Sequence, residues 1–111
     1  MRRDYRVYLR DILDAIVKIE RYVASSSFEE FVKNELVVDA VVRNLEIIGE
    51  AVKRLPKNVT TEHNDIDWRR MAGLRDILIH EYFGVDSEIL WDIIKNKLPE
   101  MKEKVCQILQ E

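Results

Sequence analysis

The stretch YRVYLRDILDAIVKIERYV, Tyr5 to Val23, sets apolar side chains at Tyr5, Tyr8, Leu9, Ile12, Leu13, Ile16, Ile19 and Val23. Steps of three and four residues gather these on one broad face of an α-helix, because successive residues turn by about 100°. Ser25-Ser26-Ser27 closes the segment. Ser27 with Glu30 three residues later has the form of a capping box that opens a second helix at Phe28. This second stretch runs to about Leu55, with a break or kink expected near Asn34, where Lys33-Asn34-Glu35 interrupts the apolar pattern. Beyond the break, Val37, Ala40, Val41, Leu45, Ile48, Ala51 and Val52 line one face. Pro56-Lys57-Asn58 ends it, since proline supplies no N–H and clashes with the preceding turn.

Residues Asn58 to Asp67 are polar and read as the main loop. Asp67 can cap a helix starting at Trp68, which carries Met71, Ala72, Leu74, Ile77, Leu78 and Ile79 and is expected to end near Tyr82 or Phe83, before Gly84. Asp86 caps the last region, where Ile89, Leu90, Ile93, Ile94, Leu98, Met101, Val105, Ile108 and Leu109 continue the helical pattern. Pro99 either kinks that region or begins a fresh helix at its first turn. No repeat and no strand of useful length is visible. The expected fold is all-α: an antiparallel helical bundle of four to five main helices, a single domain over residues 1–111.

Composition agrees. Charged residues make up 35% of the chain, with only 3 Gly and 2 Pro, which suits surface helices rather than a turn-rich β fold. The single cysteine, Cys106, excludes an intramolecular disulfide, and the cytoplasm is the expected compartment. No apolar run approaches the ~20 residues needed to span a bilayer. The net charge of −3 counts against a protein that coats nucleic acid, but not against a local site built from a few cations.

The chemically capable residues cluster between Met71 and Asp86, where Arg75, Asp76, His80 and Tyr82 fall within eight positions. Asp76 and His80 are one turn apart and share a face. Arg75 and Tyr82, seven apart, nearly coincide in angle, whereas Arg75 and His80 diverge by roughly 140°. One helix does not easily aim both at one atom. The end of the helix must unwind, long side chains must bend round, or two copies of the helix must supply one cleft.

Such a set suits metal-independent RNA cleavage. An imidazole with an ordinary pKa of ~6.5 can take the proton of a ribose 2′-hydroxyl. A guanidinium can clamp the phosphate and stabilise charge gathering on its oxygens. Asp76 can fix the tautomer of His80. No cofactor is required. Glu46 and Glu50, one turn apart, are either solvated or anchor Arg75 or a subunit partner, and no His or Asp lies at the spacing that would make them a metal site. Gly49, mid-helix, permits the close approach of another helix. Trp68 and Trp91 read as core or interface anchors, His63 as an exposed loop histidine, and Cys106 as a small apolar residue in a helix seam. Arg69 and Arg70 read as a solvated helix face, with extension of a phosphate track as the alternative.

Arg75-x-x-x-x-His80-x-Tyr82, with a polar residue directly after the arginine, resembles the signature of the HEPN superfamily. Arg43-Asn-Leu-Glu-Ile-Ile-Gly-Glu-Ala51 followed by Leu55-Pro56 resembles its HepT-like branch. So do Trp68, Met71-Ala-Gly-Leu-Arg75 and His80-Glu-Tyr-Phe-Gly-Val-Asp86. The likeness extends over essentially the whole chain. It implies a ribonuclease toxin that works as a homodimer, with two motif helices facing one cleft. It also implies a minimal nucleotidyltransferase antitoxin as partner, which transfers AMP to the motif tyrosine, here Tyr82. The alternative is a catalytically silent helical subunit that binds the nucleotidyltransferase.

Overall fold

The computed structural model describes residues 4–80 and 87–111, and the side chains of all of these except 75–80. Among the described residues every regular element is helical. The first helix, α1, spans Tyr5–Val23 as its periodicity predicts, with Asp4 accepting the Arg6 N–H as N-cap. It buries Leu9, Ile12, Ala15, Ile16, Ile19 and Val23. The capping box forms as expected: the Ser27 hydroxyl accepts the Glu30 N–H and the Glu30 carboxylate accepts the Ser27 N–H, opening α2 at Phe28–Lys33. Asn34 then ends α2 and begins α3, Glu35–Lys53, by accepting the Val37 N–H on its side chain.

Helix α3 is the centre of the bundle. It packs most extensively against α1 on one side and α5 on the other. Its buried residues Val41, Val42, Asn44, Leu45, Ile48, Gly49, Ala51 and Val52 therefore cover about 180° of its circumference, against about 120° for α1. Asn44 sits at the edge of this arc, 6% exposed, and its amide donates to the Ala40 carbonyl one turn back.

The polar segment after Pro56 is not a plain loop. Residues Lys57–Glu62 form a short helix, α4, opened by Pro56, with Val59 as its one buried residue. His63 ends it, with its ring only 17% exposed rather than free in a loop, facing Glu111 at 3.4 Å. Next comes α5, Trp68–His80. The expected end of this helix at Tyr82–Gly84, and the cap at Asp86, lie outside the described residues.

After α6, Ser87–Asp92, the chain makes a wide turn at Ile93–Lys97 in which the Leu98 N–H reaches back to the Ile93 carbonyl, and then forms α7, Leu98–Leu109. Pro99 lies in the first turn of α7. The wide turn follows from the spacing of Leu90, Ile94 and Leu98, all buried. Eight residues of α-helix rotate through about 800°, which would carry Leu98 about 80° off the face of Leu90. A turn with i→i+5 bonds takes up the excess and keeps all three in the core. α7 returns against α1, where Lys102 Nζ donates to Glu20 at 2.9 Å. That contact raises the lysine above its ordinary value. No helix among the described residues is long and apolar enough to cross a membrane.

Candidate functional site

The helix that carries the motif is fastened at its N-terminal end. Asp67 caps it by accepting the Arg70 N–H at 3.1 Å. Trp68, its first residue, is buried, and its indole N–H donates to the His63 carbonyl at 2.9 Å. Lys104 of α7 reaches across to the Asp65 carbonyl at 2.7 Å. The start of α5 is thus pinned both to the end of α4 and to α7.

From that fixed start the faces of α5 follow. Trp68, Met71 and Leu74 are buried and define the core side. At about 100° per residue, positions 69, 73, 76 and 80 lie together on the opposite side of the helix. Asp76 and His80 thus occupy positions on one face, as expected from their spacing. Arg75, seven residues after Trp68, falls on the flank of the core side, well away from position 80. The side chains of Arg75, Asp76 and His80, and Tyr82 entirely, lie outside the described residues.

Glu46 and Glu50 are half-buried on α3, Glu46 beside the buried arc and Glu50 on the side away from it. Arg43 pairs with Glu46 at 3.7 Å and Arg54 with Glu50 at 3.6 Å, both within α3. Trp91 packs against Phe28 and Phe31, with the Lys95 ammonium 4.6 Å from its ring centroid, so it is an anchor as expected. Cys106 is half-buried in α7.

The two arginines that open α5 separate once the core side is known. Arg70 pairs with Asp67 at 3.6 Å and borders a half-open cleft of about 410 Å³ floored by Ile66, Met71, Leu74, Ile93 and Met101. By register this cleft lies roughly 150° round α5 from the positions of Asp76 and His80. It is not the site that the motif marks. Arg69 is exposed, lies on the motif side, and among the described residues has no ion-pair or hydrogen-bond partner.

Gly73 stands on the same side, one turn after Arg69. Among the described residues, a Cβ added there would meet nothing within 4 Å, and no described glycine has a positive φ. Among the described residues neither packing nor backbone geometry demands the glycine, although in mid-helix it costs about 1 kcal/mol relative to alanine. Its position could be read from the sequence, but its lack of an internal reason could not.

Among the described residues, Glu62, His63 and Glu111 offer ligand atoms within 4.8 Å of one another. The His63–Glu111 contact is an ion pair when the imidazole is protonated, and it joins the ends of α4 and α7. This group stands by the start of α5. The motif position at residue 80 is twelve residues further on, about 18 Å along the axis.

The family model "Ribonuclease HepT-like" matches residues 12–108. A protein of Caldanaerobacter subterraneus subsp. tengcongensis named "Putative RNase" is 47% identical over 106 residues, covering 96% of this chain and 95% of that protein. One of Thermococcus cleftensis named "Probable ribonuclease HepT" is 45% identical over 104 residues, 94% of each. A Methanocaldococcus jannaschii protein named "Gamma-glutamylcyclotransferase and putative RNase" is 41% identical over the whole of this chain, which spans 50% of its length. No solved structure matches.

Proposed function

Since the chain belongs to the ribonuclease HepT-like family, we propose that it is a metal-independent endoribonuclease, the toxin of a toxin–antitoxin pair. In this reading it cuts RNA at a cleft shared by two copies and is silenced by AMP on Tyr82. The observation that carries it is the family match over residues 12–108, which spans the motif helix and the helix α3 that packs on it. The register of α5 supports a shared cleft: positions 75 and 80 diverge on one helix, so a second helix is the simplest way to bring a guanidinium and an imidazole to one phosphate.

In the proposed reaction His80 takes the proton of the ribose 2′-hydroxyl. The 2′-oxygen forms a bond to phosphorus while the bond to the 5′-oxygen breaks. The departing 5′-oxygen takes a proton from water and leaves as a hydroxyl, His80 returns its own proton to the solvent, and a 2′,3′-cyclic phosphate remains. Arg75 holds the phosphate oxygens and stabilises their growing charge. Asp76 orients the imidazole. Glu46 and Glu50, half-buried on the neighbouring helix, are the groups available to steady Arg75 from behind.

Regulation works by charge and bulk. The nucleotidyltransferase partner joins the Tyr82 oxygen to the α-phosphorus of ATP, and pyrophosphate leaves. The new phosphodiester competes with RNA phosphate for Arg75 and His80.

The test is cleavage of single-stranded RNA in excess EDTA, with analysis of the product ends. The expected result is a cyclic phosphate, lost in His80→Ala and in Arg75→Ala while the helical circular-dichroism signal persists. Tyr82→Phe is expected to cut RNA and to resist silencing by the partner and ATP. Activity that vanishes with EDTA, or survives both substitutions, overturns the mechanism. A folded protein that leaves RNA intact supports instead a silent binding subunit, the reading that its net charge of −3 favours.

A further inference from the structure

We infer that Arg69 and Gly73 form a second RNA-backbone contact that leads away from the proposed scissile site, with the notch at Gly73 seating the sugar-phosphate chain and Arg69 holding a phosphate beyond it. This rests on the nuclease reading and deepens it: the substrate is single-stranded RNA long enough to lie along α5.

Three observations meet at this face. By register, positions 69, 73, 76 and 80 form one stripe opposite the buried Trp68, Met71 and Leu74, so whatever approaches position 80 along the helix also passes 73 and 69. Arg69 is exposed there without a partner among the described residues, whereas its neighbour Arg70 is held by Asp67 on another side of the helix. A guanidinium left free beside a backbone-lined notch suits a phosphate, which it meets with two parallel N–H donors. Finally, among the described residues nothing fills the space at Gly73, which has no positive φ, and that room suits a group from outside the protomer. Eleven residues separate positions 69 and 80, about 16 Å along the axis, so a dinucleotide bound at position 80 does not reach Arg69.

Binding is read with a single-stranded oligoribonucleotide carrying 2′-O-methyl riboses, which lacks the nucleophile and cannot be cut. Arg69→Ala is expected to weaken binding several-fold and to lower the slope of log affinity against log salt by about 0.7, the share of one phosphate contact on a single strand. Arg69→Lys is expected to restore most of that slope. Gly73→Glu is expected to weaken binding more than Gly73→Gln, with neither lowering the melting temperature. Arg70→Ala serves as the unchanged control. In cleavage assays the Arg69→Ala defect falls on KM for the long substrate and not on kcat.

Wild-type affinity and slope in Arg69→Ala overturn the contact. So does dissociation of the assembly in step with lost binding, which assigns the stripe to a second copy of the chain. The two readings fail separately. Wild-type protein that binds the uncut oligonucleotide through Arg69 but cleaves nothing refutes the nuclease alone. Wild-type protein that cleaves, with Arg69→Ala unaltered in KM, refutes the stripe alone.

Discussion

Ser27 and Glu30 show how much a single pair of residues settles locally. Each accepts the other's backbone N–H, at 3.2 Å and 3.0 Å, so two donors that the first turn of α2 leaves unused are both satisfied. The Ser27 N–H holds the Glu30 carboxyl below its ordinary value of 4.5, and the Ser27 side chain adds to the effect. A depressed carboxyl contributes stability above its unfolded pKa and loses it as pH falls through the folded value. Glu30→Gln should therefore be less stable than wild type at pH 6, and the difference should vanish in urea titrations well below pH 4.5. Ser27→Ala should cost about 1 kcal/mol at pH 6, the usual effect of losing an N-cap hydroxyl. A Glu30→Gln deficit that persists at low pH would assign the effect to packing instead.

At the level of elements, what could be read in advance depended on how much apolar periodicity each segment carries. α1 is set by six buried residues at helical spacing, and its limits follow from sequence alone. The break at Asn34 was equally legible, because asparagine both ends and caps a helix. α4 was missed because its run, Lys57–Glu62, offers one buried residue, Val59, and one residue has no period. His63 meets Glu111, forty-eight positions away, and no local pattern reports such a meeting. Arg69 and Arg70 are alike in sequence and differ only once the core side of α5 is known. The motif residues could be picked out by type and spacing, while the side of α5 that positions 76 and 80 share with Gly73 needed the packing of Trp68, Met71 and Leu74.

The wide turn before α7 belongs to this scale too. Both Pro99 and the four-residue spacing of Leu90, Ile94 and Leu98 bear on it, and the spacing is the stronger constraint. Pro99→Ala should keep the turn and shift stability little, by less than about 1 kcal/mol, since the proline lies in a first turn that tolerates it. Leu98→Ala, at a fully buried position, should cost about 2–5 kcal/mol. Denaturant titration of both proteins decides the matter. A large loss in Pro99→Ala would make the proline, and not the core, the cause of the turn.

For the molecule as a whole, one buried cluster links α1, α2, α3, α5, α6 and α7. Not all the large apolar surface enters it. Leu36 is 80% exposed, Ile89 60% and Val32 43%. Large apolar groups left in water gain by association, and the proposed shared cleft needs a second copy for its own reasons. Light scattering at micromolar concentration is expected to report a homodimer. A monomer that still cleaves RNA would remove the shared cleft and leave His80 and Arg75 to act from a single helix.

The two tryptophans stand in separate neighbourhoods, and this gives the protein a pair of built-in optical reporters. Trp68 is buried at the root of the motif helix with its indole N–H tied to the His63 carbonyl. Trp91 is half-buried between two phenylalanines and an ammonium group on the far segment of the chain. Replacing Trp91 with phenylalanine leaves Trp68 as the single tryptophan, whose emission colour registers whether the root of α5 stays dry. Fluorescence of that variant then follows the seating of α5 without any attached dye, while the face that carries Arg69 and Gly73 is left untouched.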